Sequence, residues 1–261
     1  MLQQTRTLGV MTLVAISAAD CAAHSMNSLG PFAVGELIKN GQMTAAQAGV
    51  WSSVEMLSYA AAMTGIAFAV HRIRLRSLAL VAAICVVFAQ ATSAYVYGFW
   101  GLLALRVLSG LGLGALNAVV NVGASRLGQP IFVLSFVMVV QTIVFSAASL
   151  VLPSIGKIAG QKGIFLVLAC IVLALAPLMR LLPDTVNQPG GIVRTGQPAS
   201  GPAVAALLAV LCYTGGSLAV WPFTERIAAS VGLTTASFGT LSAFSNILGL
   251  CVCLASVRLS R

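Results

Sequence analysis

Apolar residues in this chain come in long, nearly unbroken runs separated by short polar stretches. Crossing the hydrocarbon of a bilayer as a helix takes about 20 such residues. Eight segments reach that length, over 8–31, 47–70, 77–97, 99–122, 129–152, 163–182, 201–222 and 233–256. Backbone N–H and C=O groups in lipid must be satisfied within the segment, which predicts helices. A membrane barrel needs strands of about ten residues with alternating polarity, and that alternation is missing from the runs. The pattern predicts an all-α integral membrane protein.

Composition strengthens this reading. Of 261 residues, 59% are hydrophobic and 7% charged, against about 25% charged in a soluble domain. So few charges cannot cover a water-facing surface, so lipid must be a partner. The net charge of +9 resides in connections between apolar runs. That argues for membrane orientation rather than for nucleic acid. With the N-terminus inside, nine basic residues lie inside: Arg6, Arg72, Arg74, Arg76, Arg126, Arg180, Arg194, Arg258 and Arg261. Four lie outside: Lys39, Lys157, Lys162 and Arg226. The expected location is the cytoplasmic (inner) membrane of a bacterium, N-terminus inside. Arg6 followed by residues 8–19 could be read as a signal peptide, but the apolar pattern resumes after Asp20, which favours an uncleaved first span.

One connection differs from the others. Residues 183–200 hold Asp184, Asn187, Pro189, Gly190 and Gly191, the composition of a flexible linker. It divides a six-helix unit, 1–182, from two further helices, 201–261. The two units share a pattern. At an offset of 190, Thr44 matches Thr234, Ala46 matches Ala236, Gly49 matches Gly239 and Ser52 matches Ser242. With a small shift, Pro31-Phe32 matches Pro222-Phe223, and Glu36 matches Glu225. Parallel duplicated halves recur in transporters. A second half built like the first would hold six spans and has two here. Four helices are expected to be missing, or to be supplied by a complementary chain.

Three motifs carry a family resemblance. The stretch Arg106-Val107-Leu108-Ser109-Gly110-Leu111-Gly112-Leu113-Gly114 resembles the fourth-helix motif of the major facilitator superfamily, with Ser109 in place of the usual glutamine. The basic connection holding His71, Arg72, Arg74 and Arg76 resembles the family's gating loop between its second and third helices, without its aspartate and glycines. Pro153 with Gly156 and Gly160 resembles the fifth-helix motif, with Leu152 in place of a glycine. The resemblance implies a bundle of this superfamily's type, one complete N-terminal half and the first two helices of a C-terminal half. It also implies gating by the loop arginines and helix packing through Gly110, Gly114, Pro153 and Gly156.

Charge within a span is costly, so such residues are functional candidates. Asp20 and His24 stand at i and i+4 on one helix face, a carboxylate and an imidazole able to exchange a proton. The alternative is that Asp20 neutralises a buried Arg106 and fixes packing. Glu55 is the second candidate partner for Arg106. These four residues are the proton-coupling candidates. Asn27, Asn117, Asn121 and Gln141 are in-span amides placed either to bind substrate in a cavity or to bond between helices. Glu36 with Lys39, and Glu225 with Arg226, read as charges at outer helix ends. Trp51, Trp100, Trp221, Tyr95 and Tyr97 fall at span boundaries, as an aromatic belt would.

No phosphate-binding glycine loop, nucleophile–base pattern or metal-ligand spacing stands out, so no enzyme, cofactor or metal is expected. The expected function is secondary active transport of a small organic solute by alternating access, coupled to protons. The alternative is a non-transporting membrane remnant or partner-binding module.

Overall fold

In the computed structural model, residues 2–69, 73–127, 130–183 and 201–259 are described. They form α1 (Leu2–Lys39), α2 (Ala45–Ala69), α3 (Leu75–Ser93), α4 (Phe99–Arg126), α5 (Pro130–Leu175), α6 (Gly201–Val220), α7 (Thr224–Ser230) and α8 (Thr235–Leu259). Short 3₁₀ turns follow α5 at Ala176–Leu181 and α6 at Trp221–Phe223. The chain is an all-α protein whose long apolar helices suit a membrane.

Five stretches among the described residues are both long and apolar enough to span: Gly9–Lys39, Leu75–Ser93, Phe99–Ser125, Phe132–Leu181 and Val204–Ser230. Eight separate spans were expected; a bend within one stretch, a more polar helix and the limit of the described residues account for the difference. The stretch Phe132–Leu181 is 50 residues, enough for two crossings. It bends at Gly160, whose φ of 55° and ψ of −143° are not helical. Helices α2 and α8 have 25 residues each, long enough at 1.5 Å per residue. The hydroxyl-bearing residues and Glu55 of α2 make that helix less apolar, and the side chains of α8 beyond Cys251 lie outside the described residues.

The Gly160 conformation is one that side chains rarely adopt, and it turns α5 back on itself. Beyond the turn, Gln161 Nε2 donates to the carbonyls of Ser93 and Val96 at 2.9 and 3.1 Å. The same end of the bundle therefore holds the end of α1, the α3–α4 connection and the α5 turn. At the opposite end Arg76 Nε donates to the Leu182 carbonyl at 2.9 Å. Changing Gly160 to alanine is expected to destabilise the chain by roughly 1–3 kcal/mol, read by equilibrium unfolding in mixed SDS micelles.

In the bundle α2 lies along α4, α1 along α4 and α5, α3 along α4, and α8 along α5. Glycines set the closest approach. A Cβ at Gly110 would meet the Glu55 carbonyl oxygen and, at 2.8 Å, Ser58 Cβ. One at Gly114 would meet the Tyr59 carbonyl oxygen, with Tyr59 C at 2.9 Å. Gly112 instead faces α3, at 2.6 Å from Val86 Cγ2. Gly156 packs within α5, with Ile164 Cδ1 3.3 Å from the position of its Cβ.

Two interior prolines mark where residues 201–259 dock on the first unit. Proline has no N–H, so the carbonyl four residues earlier loses its helical partner. Pro31 of α1 frees the Asn27 carbonyl, which accepts the Trp221 indole N–H at 2.7 Å. Pro153 of α5 frees the Ser149 carbonyl, and Gly239 of α8 sits directly against that oxygen. Helix entry is built alike at the two matched positions. Thr44 Oγ1 accepts the Gln47 N–H at 3.2 Å, and Thr234 Oγ1 accepts the Ser237 N–H at 3.1 Å, each an N-cap.

Candidate functional site

Arg106 is fully buried in α4. Its Nη1 donates to Glu55 Oε1 of α2 at 3.0 Å and its Nη2 to Gln90 Oε1 of α3 at 2.9 Å. Ser109, three residues along α4, donates to the same Glu55 oxygen at 3.0 Å. Gln90 Nε2 donates to Ser109 Oγ at 3.2 Å and closes the ring. Four side chains on three helices thus satisfy one another. The guanidinium carbon also lies 4.2 Å from the Trp51 ring centroid and 5.3 Å from that of Phe165. Both aromatic faces stabilise a desolvated cation. Arg106 Nε is buried without a hydrogen-bond partner.

Asp20 was the first expected partner of Arg106, and the structure pairs Arg106 with Glu55 instead. The guanidinium of α4 reaches α2 because Gly110 and Gly114 bring those two backbones together. Asp20 is buried too, with Oδ1 3.2 Å from His24 Nδ1. The same Nδ1 lies 3.1 Å from the Asp20 carbonyl oxygen. Both neighbours are acceptors, so Nδ1 carries a hydrogen. Asp20 Oδ2 is buried with no partner.

A cavity of about 650 Å³ opens between α1, α2, α6 and the turn after α6. That is within the roughly 300–1,000 Å³ of small-molecule sites. Glu55, Asn27, Trp51, Trp221 and Phe223 all line it. Glu55 Oε1 holds both hydrogen bonds from α4, and Oε2 receives none among the described residues. A smaller space of about 240 Å³ adjoins, between Asn27, Ser217 and Asn246.

The other amide candidates lie elsewhere. Asn117 Nδ2 donates to Met63 Sδ at 3.2 Å, and Asn121 Nδ2 donates to the Asn117 carbonyl at 3.1 Å. These are packing bonds, as in-span amides make when a neighbour is in reach. Gln141 is outside the cavity lining, and its Oε1 is buried without a partner. Of the loop arginines, Arg74 occupies the N-cap position of α3 without a side-chain capping bond, and Arg76 binds the Leu182 carbonyl. Arg72 lies outside the described residues, as does the linker beyond residue 183.

Two belt residues and one outer charge also differ from expectation. Trp51 is completely buried over Arg106, and Trp221 is bound to Asn27, while Trp100, Tyr95 and Tyr97 are exposed. Glu225 is buried, accepts the Thr235 hydroxyl at 2.9 Å and packs on Gly35 of α1. Glu36 and Lys39 do form a pair, at 3.5 Å, with Lys39 exposed and Glu36 partly buried.

Gln90 and Phe165 belong to the site and were not among the sequence candidates, and Ser109 stood there only as a departure from the fourth-helix motif. Gln90 had a signal: an uncharged amide in the apolar run of α3. Phe165 had none, since phenylalanine is ordinary in membrane helices. Neither a protein-family model nor a curated protein matches the chain.

Proposed function

We propose that this chain acts as a secondary transporter of the major facilitator type. A small organic solute would bind in the cavity between the six-helix unit and the helices after the linker, with proton movement driving alternating access. The observation that carries the proposal is Glu55. One carboxylate oxygen is fixed by a buried Arg106–Gln90–Ser109 network, and the other is left for the cavity. A charge placed inside a span at a cavity wall is a functional arrangement by default. The matched helix caps and the docking at two proline-freed carbonyls support a two-unit organisation.

Asp20 and His24 supply the proton site in this reading. A buried carboxylate beside an imidazole, with its second oxygen unpartnered among the described residues, has the chemistry of a site that takes up and releases a proton. The test is uptake into liposomes driven by an imposed pH gradient. Asp20→Asn is expected to lower uptake to the level seen without a gradient, while solute binding persists. Gradient-driven uptake unchanged in that variant would defeat the coupling claim.

A second reading rests on α6, whose described side chains are nearly all exposed. A helix so bare suits a membrane module that binds a partner and moves nothing. Absence of solute flux in reconstituted protein that binds solute would favour it.

A further inference from the structure

The structure assigns a ligand class to the cavity beside Glu55: a monovalent organic cation, a protonated amine on an apolar or aromatic body. This rests on the transport reading for its purpose, and on the cavity alone for its chemistry.

Glu55 is the one ionisable side chain lining the cavity among the described residues. No lysine, arginine or histidine faces an entering ligand there. Arg106, which neutralises Glu55, stands behind it, fully buried and covered by Trp51. A ligand therefore meets the negative end of the ion pair first. Glu55 Oε2, without a hydrogen-bond partner among the described residues, is an acceptor for an ammonium, and Asn27 of α1 lines the same cavity. An anion would meet a carboxylate with no cationic side chain among the described lining residues to offset it.

The remaining walls suit the body of such a ligand. Met26 and Met56 present thioethers, and Trp221 and Phe223 present rings that are partly open. Aromatic faces attract cations through the ring quadrupole, and methionine adapts to apolar groups of irregular shape. The Trp221 indole N–H is already held by the Asn27 carbonyl, which fixes that ring as a wall.

The probes are phenethylammonium, the neutral 2-phenylethanol and the anionic 3-phenylpropionate. Binding to the full chain in lipid nanodiscs is read by tryptophan fluorescence and calorimetry. Phenethylammonium is expected to bind at least about tenfold more tightly than the alcohol, as a charged hydrogen bond would give. The anion is expected not to compete. Glu55→Asp should keep the preference and Glu55→Gln should abolish it. Because Glu55→Gln disturbs Arg106, Trp221→Leu is the second variant. It leaves the Arg106 network intact and should weaken both ligands, the ammonium more than the alcohol because only the cation is drawn to the ring face.

Equal affinity for the ammonium and the alcohol, tighter binding of the anion, or a preference that survives Glu55→Gln would overturn the assignment. The transport reading fails separately. Selective ammonium binding without flux in liposomes defeats transport and leaves the ligand class standing. Flux of an anion through this cavity does the reverse.

Discussion

Arg106→Met is expected to destabilise the protein by about 3–5 kcal/mol, and a second change, Glu55→Leu, is expected to restore most of it. Removing one member of a buried pair leaves the other as an uncompensated charge, and that residual charge is the main cost. Glu55→Leu alone should be comparably harmful, since it strips Arg106 of its anion while Gln90 and two aromatic faces remain. In the double variant neither charge is left. Gln90 and Ser109 still bond each other at 3.2 Å. Hydrophobic replacement of a complete buried pair is often neutral or better. Unfolding in mixed SDS micelles measures the four proteins as a double-mutant cycle. Additive losses would mean that the two side chains do not act as a pair.

The second large effect is expected at the α2–α4 contact. Gly110→Val and Gly114→Val should each cost about 1–3 kcal/mol or more, the range of overpacking. The atoms in the way are backbone, the Glu55 and Tyr59 carbonyls, and cannot rotate aside. Separating the helices at Gly110 also withdraws Glu55 from Arg106, one turn away. Gly110→Ala should therefore shrink the Glu55–Arg106 coupling as well as the stability. Gly65 is the control, because a Cβ there meets nothing within 4 Å. Gly65→Ala is expected to be neutral, or stabilising by up to about 1 kcal/mol. Equal losses at Gly65 and Gly114 would show that close approach is not what these glycines provide.

Most helices were legible because a bilayer filters composition so severely. The apolar runs of α1, α3, α4 and α6 needed no tertiary information. The exposed Trp100 and the pair Glu36–Lys39 were legible for the same reason, since each depends on its neighbours along one helix. The turn at Gly160 was placed between two runs, yet its left-handed backbone was not readable from the residue alone. The i, i+4 pair Asp20–His24 was readable, because helix geometry brings those positions together without help from another segment.

The amino-acid sequence by itself determined which residues are costly inside a membrane: Asp20, Glu55 and Arg106. It could not determine which of the acids meets the arginine, because that choice lies between helices rather than along one. The tertiary structure decided it through backbone distance. Glycines at 110 and 114 let α4 approach α2 closely enough for Arg106 to reach Glu55, and Asp20 was left to His24. The same packing buried Trp51 over the guanidinium, moved Trp221 from the expected belt to a cavity wall and drew Gln90 into the ring. Each of these is a contact between segments far apart in the chain, set by how closely two helices can pack.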